Sequence, residues 1–305
     1  MRNRVLAFLI ALLLCLGFTP ARQSACAQQP TVPQPPSDAS KLLEALDKDG
    51  AVTLANSGVV VSKYDYVFAG DSVEAIAIRP VADGRYPGLV LIPGFSRSAR
   101  DYLPLGVRFA KEGFACLAIT QRGFGRSTGA PDFVGPKTIA GLEAGLRKFR
   151  GEAYVDSTRM GLFGYSRGAM AASLLAVRAK PGELRAAVFA AGIYDFKKAY
   201  DEIKSDIIRE NMRAEAGLSD AAVEERTSLS KMANLPCPVL ILHGEQDENA
   251  PVSQAYRLRD KLTELKKDFE LKTFPERDHN IGMKELLDNS LEFFKRRLMP
   301  EASKS

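Results

Sequence analysis

The sequence predicts an α/β fold with a mostly parallel central sheet, helices on both faces and a short helical insertion. Three observations carry this. From Gly88 onward, short apolar runs alternate with helical stretches, the rhythm of strand and crossover helix. The apolar runs carry few polar residues, as strands buried on both faces require. The 305 residues are 46% hydrophobic, with 16 Phe and 9 Tyr but no Trp, enough for one substantial core, so one domain is expected over residues 41–305.

In chain order, Arg2 and Arg4 precede an apolar stretch from Val5 to Phe18 and then Ala25-Cys26-Ala27, which reads as a signal peptide over residues 1–27. Its 14 apolar positions fall short of the roughly 20 residues that span a bilayer, so an exported periplasmic or extracellular chain without stable membrane insertion is expected. Cleavage removes Arg2, Arg4 and Arg22 and no acid, lowering the formal charge from +5 by three. With no Lys/Arg stripe or aromatic-interleaved basic patch, a nucleic-acid partner is not expected. Residues 28–40, with Pro30, Pro33, Pro35 and Pro36, form an extended linker. Ser40 caps a helix bearing Leu42, Leu43 and Leu46, and strands follow at Val59–Phe68 and Val73–Arg79.

The parallel strands are then expected at Leu89–Ile92, Cys116–Ile119, Met160–Phe163, Ala186–Ala190, Val239–Leu242 and Leu271–Phe274. Helices are expected at Tyr102–Glu112, Lys137–Phe149, Arg167–Ala179, Val252–Lys266 and Met283–Leu298. Residues 193–235 exceed what one crossover helix needs and read as a charged helical insertion, either roofing the site or lying as a solvated surface pair. Cys116 and Cys237 fall on strands several positions apart, beyond the reach of a disulfide, and are expected as free, buried thiols.

The chemistry concentrates at Gly164-Tyr165-Ser166-Arg167-Gly168, between an apolar run and a small-residue helix. This is the strand-turn-helix setting that exposes a nucleophilic serine on a tight turn, and it makes Ser166 the expected nucleophile. The same pattern at Gly125-Arg126-Ser127-Thr128-Gly129 lacks that setting, being preceded by a loop and followed by Pro131. A serine hydroxyl needs a base and an orienting acid. Of the two histidines, His243 closes an apolar strand, whereas His279 sits in a polar loop after the last strand and is the expected base. Asp247 follows the neighbouring strand and is the expected acid, with Glu245, Glu248 and Asp195 as competitors. The amides of Phe95, after a strand end, and Arg167, at a helix N-terminus, are expected to form the oxyanion hole. Arg97, Arg100, Arg122 and Arg126 also follow strand ends, and with Arg167 favour an acyl group carrying a carboxylate, unless they serve loop structure.

With these residues assembled, the chain resembles the α/β-hydrolase superfamily. Its downstream half is similar to the dienelactone hydrolase and prolyl-oligopeptidase catalytic-domain branch, through the Ser166 pentapeptide, the run Pro238 to Asp247 with Pro251-Val252, and Asp278-His279. The chain has Pro93-Gly94 where relatives often have His-Gly, and Gln121 where they often have Asp. Dienelactone hydrolases typically use a cysteine, so Ser166 argues against that particular activity. With only Gln28 to about Gly58 ahead of the first strands, no β-propeller is expected. The resemblance implies a serine hydrolase without metal or organic cofactor, acting on a small ester through an acyl-enzyme. A short peptide or amide is the alternative substrate, and a non-catalytic binding protein of the same fold is a third reading.

Overall fold

A computed structural model describes residues 37–54 and 57–299. The expected signal peptide, 1–27, lies outside the described residues, as does residue stretch 28–36 of the linker. Helix α1 (Ser37–Asp49) starts inside the span assigned to linker, directly after the last of the clustered prolines, where backbone N–H groups again become available for a helix.

Four short strands follow: β1 (Ala51–Leu54), β2 (Val59–Lys63), β3 (Tyr66–Phe68) and β4 (Asp71–Val73). The run Val59–Phe68, expected as one strand, divides at Tyr64-Asp65. There the Tyr64 amide donates to the Ala75 carbonyl, and the Asp65 carboxylate accepts the Ala75 amide at 3.0 Å. The break sends β3 outward to pair with β4 as a separate two-stranded ribbon, while β2 continues the main sheet beside β5 (Ala75–Pro80).

The remaining strands are β6 (Tyr86–Ile92), β7 (Ala115–Ile119), β8 (Val155–Tyr165), β9 (Ala186–Ala190), β10 (Val239–Gly244) and β11 (Phe269–Phe274). The nine-stranded sheet runs β1-β2-β5-β7-β6-β8-β9-β10-β11, and every pairing from β7 to β11 is parallel. Successive strand residues point to opposite faces, so the apolar runs feed two cores. Val90 and Ile92 join one cluster with Leu117, Ile119, Phe189 and Ile241. Leu89 and Leu91 join the other with Cys116, Val188 and Leu242.

Helices α3 (Pro136–Arg150), α4 (Arg167–Ala176) and α8 (Ser253–Glu264) cover the first face. Helices α1, α2 (Leu103–Lys111) and α9 (Met283–Leu298) cover the second. Every residue of α4 is buried, and Gly168, Ala169, Ala171 and Ala172 let it approach the sheet closely. A methyl on Gly168 would overlap the Ile92 carbonyl. Cys116 and Cys237 are free and buried. Three strands separate β7 from β10, and burial pushes the Cys237 thiol up to about 12.

Between β9 and β10 lie α5 (Phe196–Glu202), α6 (Asp206–Ala216), α7 (Asp220–Arg226) and a 3₁₀ segment, Leu229–Asn234. Each α-helix begins at a side-chain cap: Asp195 accepts the Lys198 amide, Ser205 that of Ile208 and Ser219 that of Ala222. Phe196, Met212 and Met232 are fully buried in the core that holds α4, so the segment is packed onto the domain. Among the described residues, no helix is long and apolar enough to cross a membrane.

Candidate active site

Ser166 stands between the last residue of β8 and the first of α4, with φ 57° and ψ −125°. A non-glycine residue at positive φ is strained, and the turn is held by the Ser166 amide donating to the Ala190 carbonyl of β9 at 2.8 Å. Asp247 follows β10 and His279 follows β11, so three strand ends on the same rim of a parallel sheet supply the cluster. Gly244 lets the His279 loop come down on β10, since a methyl there would overlap the Asp278 carbonyl.

The structure brings Ser166, His279 and Asp247 together. His279 Nε2 lies 2.8 Å from Ser166 Oγ, and His279 Nδ1 lies 2.7 Å from Asp247 Oδ2. A carboxylate beside Nδ1 fixes the tautomer in which Nδ1 carries the proton and Nε2 faces the hydroxyl as an acceptor. The other oxygen, Asp247 Oδ1, accepts the Asn249 and Ala250 amides at 2.9 and 2.8 Å. Burial alone would raise the Asp247 carboxyl, but hydrogen bonds from His243 and His279 outweigh it and hold the group at about 2.

His243 is fully buried behind Asp247, its Nε2 2.7 Å from the Ala250 carbonyl and 3.4 Å from Asp247 Oδ2. A carbonyl only accepts, so Nε2 carries the proton. The buried Nδ1 has no hydrogen-bond partner among the described residues. The other acids are engaged elsewhere: Glu245 accepts from Thr273, Glu248 pairs with Lys204, and Asp195 caps α5.

The loop after β6 lies against the nucleophile, since a Cβ built on Gly94 would be 3.3 Å from Ser166 Cβ. This places the Phe95 backbone beside the first turn of α4, where the Arg167 amide begins the helix. Neither amide is engaged with another backbone acceptor among the described residues. The two positions where the sequence departs from its relatives also meet, because Gln121 Nε2 donates to the Pro93 carbonyl at 2.6 Å.

The rival serine and the strand-end arginines have partners of their own. Ser127 Oγ donates to the Thr120 carbonyl and accepts the Glu74 amide, both at 3.0 Å, so its hydroxyl braces a loop. Arg100 and Arg122, expected to contact substrate, are engaged in ion pairs within the protein. Arg100 Nε meets buried Glu74 at 2.7 Å and Nη2 meets Asp47 at 2.5 Å, while Arg122 pairs with Asp71 at 2.9 Å and donates to the Ala130 carbonyl. Arg126 likewise forks onto Asp47, with both bonds at 2.7 Å. Hydrogen bonds from Arg126 and Arg100 hold the Asp47 carboxyl well below the usual range. Arg97 stands 3.6 Å from Asp101.

Three contacts went unread in the sequence. Tyr165, inside the nucleophile pentapeptide, donates its hydroxyl to the His279 carbonyl, fixing the histidine loop to the elbow. Its position in the motif was a usable signal. The Arg167 side chain is 4% exposed, pairs with Glu215 of α6 at 2.5 Å and lies against the rings of Phe133, Phe124 and Phe95. Nothing local marked Glu215 as that partner. Among the described residues, no group of three or more His, Cys, Asp or Glu is arranged to hold a metal ion.

The profile of the prolyl oligopeptidase family matches residues 109–300. A Bacillus subtilis (strain 168) protein, the uncharacterized peptidase YtmA, is 29% identical over 209 residues, covering 67% of this chain and 80% of that protein. Among solved structures, the Pyrococcus horikoshii acylaminoacyl peptidase superposes with a TM-score of 0.66 at 17% identity, over 78% of this chain and 42% of that one. The acetyl xylan esterase from Paenibacillus sp. R4 superposes with a TM-score of 0.69 at 16% identity, over 88% of this chain and 97% of that one. The chain thus spans about two fifths of the peptidase and nearly all of the esterase, and the likeness to both is one of fold, the α/β-hydrolase fold.

Proposed function

This chain belongs to the prolyl oligopeptidase family and is a serine hydrolase, and from that premise we propose that it cleaves carboxylic esters through an acyl-enzyme on Ser166. The observation that carries the reading is the unbroken relay from Asp247 through His279 to Ser166 Oγ, with links of 2.7 and 2.8 Å. His279 Nε2 takes the Oγ proton as Oγ bonds to the ester carbonyl carbon. The carbonyl oxygen becomes an oxyanion facing the Phe95 and Arg167 amides, where the N-terminus of α4 also favours negative charge. Collapse expels the alcohol, which receives the proton from His279. Water then attacks the acyl-enzyme, giving its proton to His279, and the acid leaves as Ser166 regains a hydrogen. Asp247 keeps the imidazole oriented and stabilises its charged form, remaining ionised throughout.

Similarity along almost the whole length of the Paenibacillus acetyl xylan esterase supports esters. A peptidase or amidase is the second reading, favoured by family membership and by the relative named as a peptidase. Hydrolysis of matched p-nitrophenyl esters and p-nitroanilides of one acyl group decides between them, and faster anilide turnover overturns the ester proposal. Labelling by a fluorophosphonate probe, lost in Ser166→Ala, is expected, and an unlabelled wild-type chain would point to a binding protein. Residues 1–27 support export to the periplasm or medium; fractionation that finds the full-length, uncleaved chain in the cytosol would refute it.

A further inference from the structure

We propose that Glu215 is a positioning residue for the oxyanion site, acting through the Arg167 guanidinium on the turns that carry the Phe95 and Arg167 amides. The proposal rests on Ser166 being the nucleophile.

The guanidinium of Arg167 sits in a box of three rings, its carbon 4.4 Å from the centroid of Phe133, 4.9 Å from Phe124 and 5.6 Å from Phe95. Phe95 and Phe124 also pack edge to face at 5.4 Å. The side chain is 4% exposed and, among the described residues, its Nε and Nη1 have no hydrogen-bond acceptor, so the bond from Nη2 to Glu215 is its one charge-assisted hydrogen bond there. The same Glu215 oxygen accepts the Phe133 amide at 3.1 Å. From α7, Arg226 adds bonds to the carbonyls of Phe133 at 3.0 Å and Asp132 at 2.7 Å.

The backbone around this box is strained. Of the seven non-glycine residues with positive φ among those described, Ser96, Phe133, Val134 and Ser166 lie in or directly beside members of the box. Each such residue is strained and persists only where its surroundings over-determine it. Ser96 follows the Phe95 amide and Ser166 precedes the Arg167 amide, so the conformations that aim both oxyanion donors are the ones under strain. The Phe95 ring packs against the Arg167 guanidinium, and Glu215 holds that guanidinium in place. Without that carboxylate, the desolvated cation loses its hydrogen-bonded counter-charge, Asp132 acting on it only through space, and is drawn out of the ring box toward water. The turns then relax, and the donors lose their aim at a charge that exists only in the transition state. The loss falls on kcat rather than on substrate binding.

The test uses the full chain as Glu215→Gln, Arg167→Met and the double variant, with kcat and KM on p-nitrophenyl acetate, the rate of fluorophosphonate labelling, and the melting temperature. Glu215→Gln is expected to lower kcat and the labelling rate together by about 10–100-fold, with KM within about two-fold of wild type. Adding Glu215→Gln to Arg167→Met is expected to cost nothing further, because the residue acts through the guanidinium. The double variant removes both charges, folds even where Glu215→Gln alone does not, and still reports that comparison. Wild-type kcat in Glu215→Gln, a double variant with wild-type kcat, or a Glu215→Gln effect that persists in full beside Arg167→Met overturns the proposal. A wild-type chain that labels at Ser166 separates these outcomes from failure of the nucleophile itself; a wild-type chain that does not label overturns both.

Discussion

Replacing Asp247 with asparagine probes the relay at its most constrained atom. Oδ1 receives two backbone amides at 2.9 and 2.8 Å, so an asparagine places its carbonyl oxygen there and its NH₂ group where Oδ2 was. That group then faces His279 Nδ1 at 2.7 Å and the Nε2–H of His243 at 3.4 Å. His279 escapes the clash of donors by moving its proton to Nε2, which faces Ser166 Oγ at 2.8 Å and can no longer accept. A wrong tautomer of this kind costs about ten-thousand-fold in kcat, or about 5 kcal/mol of barrier. The carboxyl, lowered from its ordinary 3.8 to about 2, also contributes on the order of 2 kcal/mol to the fold at neutral pH. Because the folded value is the lower one, this contribution is present above pH 3.8 and is lost as pH falls through about 2. Steady-state kinetics and urea unfolding at neutral and acid pH measure both effects. Activity within about ten-fold of wild type, or a stability gap that does not narrow on acidification, refutes the assignment.

Tyr165→Phe removes the hydroxyl that holds the His279 carbonyl and is expected to lower kcat about ten-fold while costing only about 1 kcal/mol of stability. An unchanged kcat would show that the loop holds itself. Arg100→Met strands buried Glu74 and is expected to destabilise the fold by about 3 kcal/mol, read by urea unfolding, while leaving the ratio of anionic to neutral ester turnover unchanged. A shifted ratio with unaltered stability would return Arg100 to the substrate site. Gln121→Ala frees the Pro93 carbonyl ahead of Phe95 and is expected to slow fluorophosphonate labelling, with KM for a neutral ester nearly constant.

The parallel strands β6, β7, β9 and β10 are readable because each is buried on both faces and announces itself as an apolar run. The antiparallel start was harder to read: β1 is a four-residue edge strand with mixed burial, and the break after Lys63 depends on Asp65 bonding to Ala75 ten residues later. Ser166, Asp247 and His279 stand out because each lies in the turn or loop that follows a strand, so local context points all three at one rim. The arginines could not be sorted in the same way. Arg100, Arg122 and Arg167 all leave the ends of strands or start helices, but their partners Asp47, Glu74, Asp71 and Glu215 arrive from distant segments. A charged helix such as α6 looks solvated in sequence whether or not one of its carboxylates is spent on a buried cation.

The placement of β11 at the rim has a consequence for inactivation. It is an edge strand that, among the described residues, pairs only with β10 and is half-exposed along its length, yet the loop it feeds holds His279. Ser166, by contrast, hangs from β8 deep inside the sheet. Local fraying of that margin withdraws the imidazole while the interior keeps its amide protection, so heat or denaturant silences the enzyme before it melts the molecule.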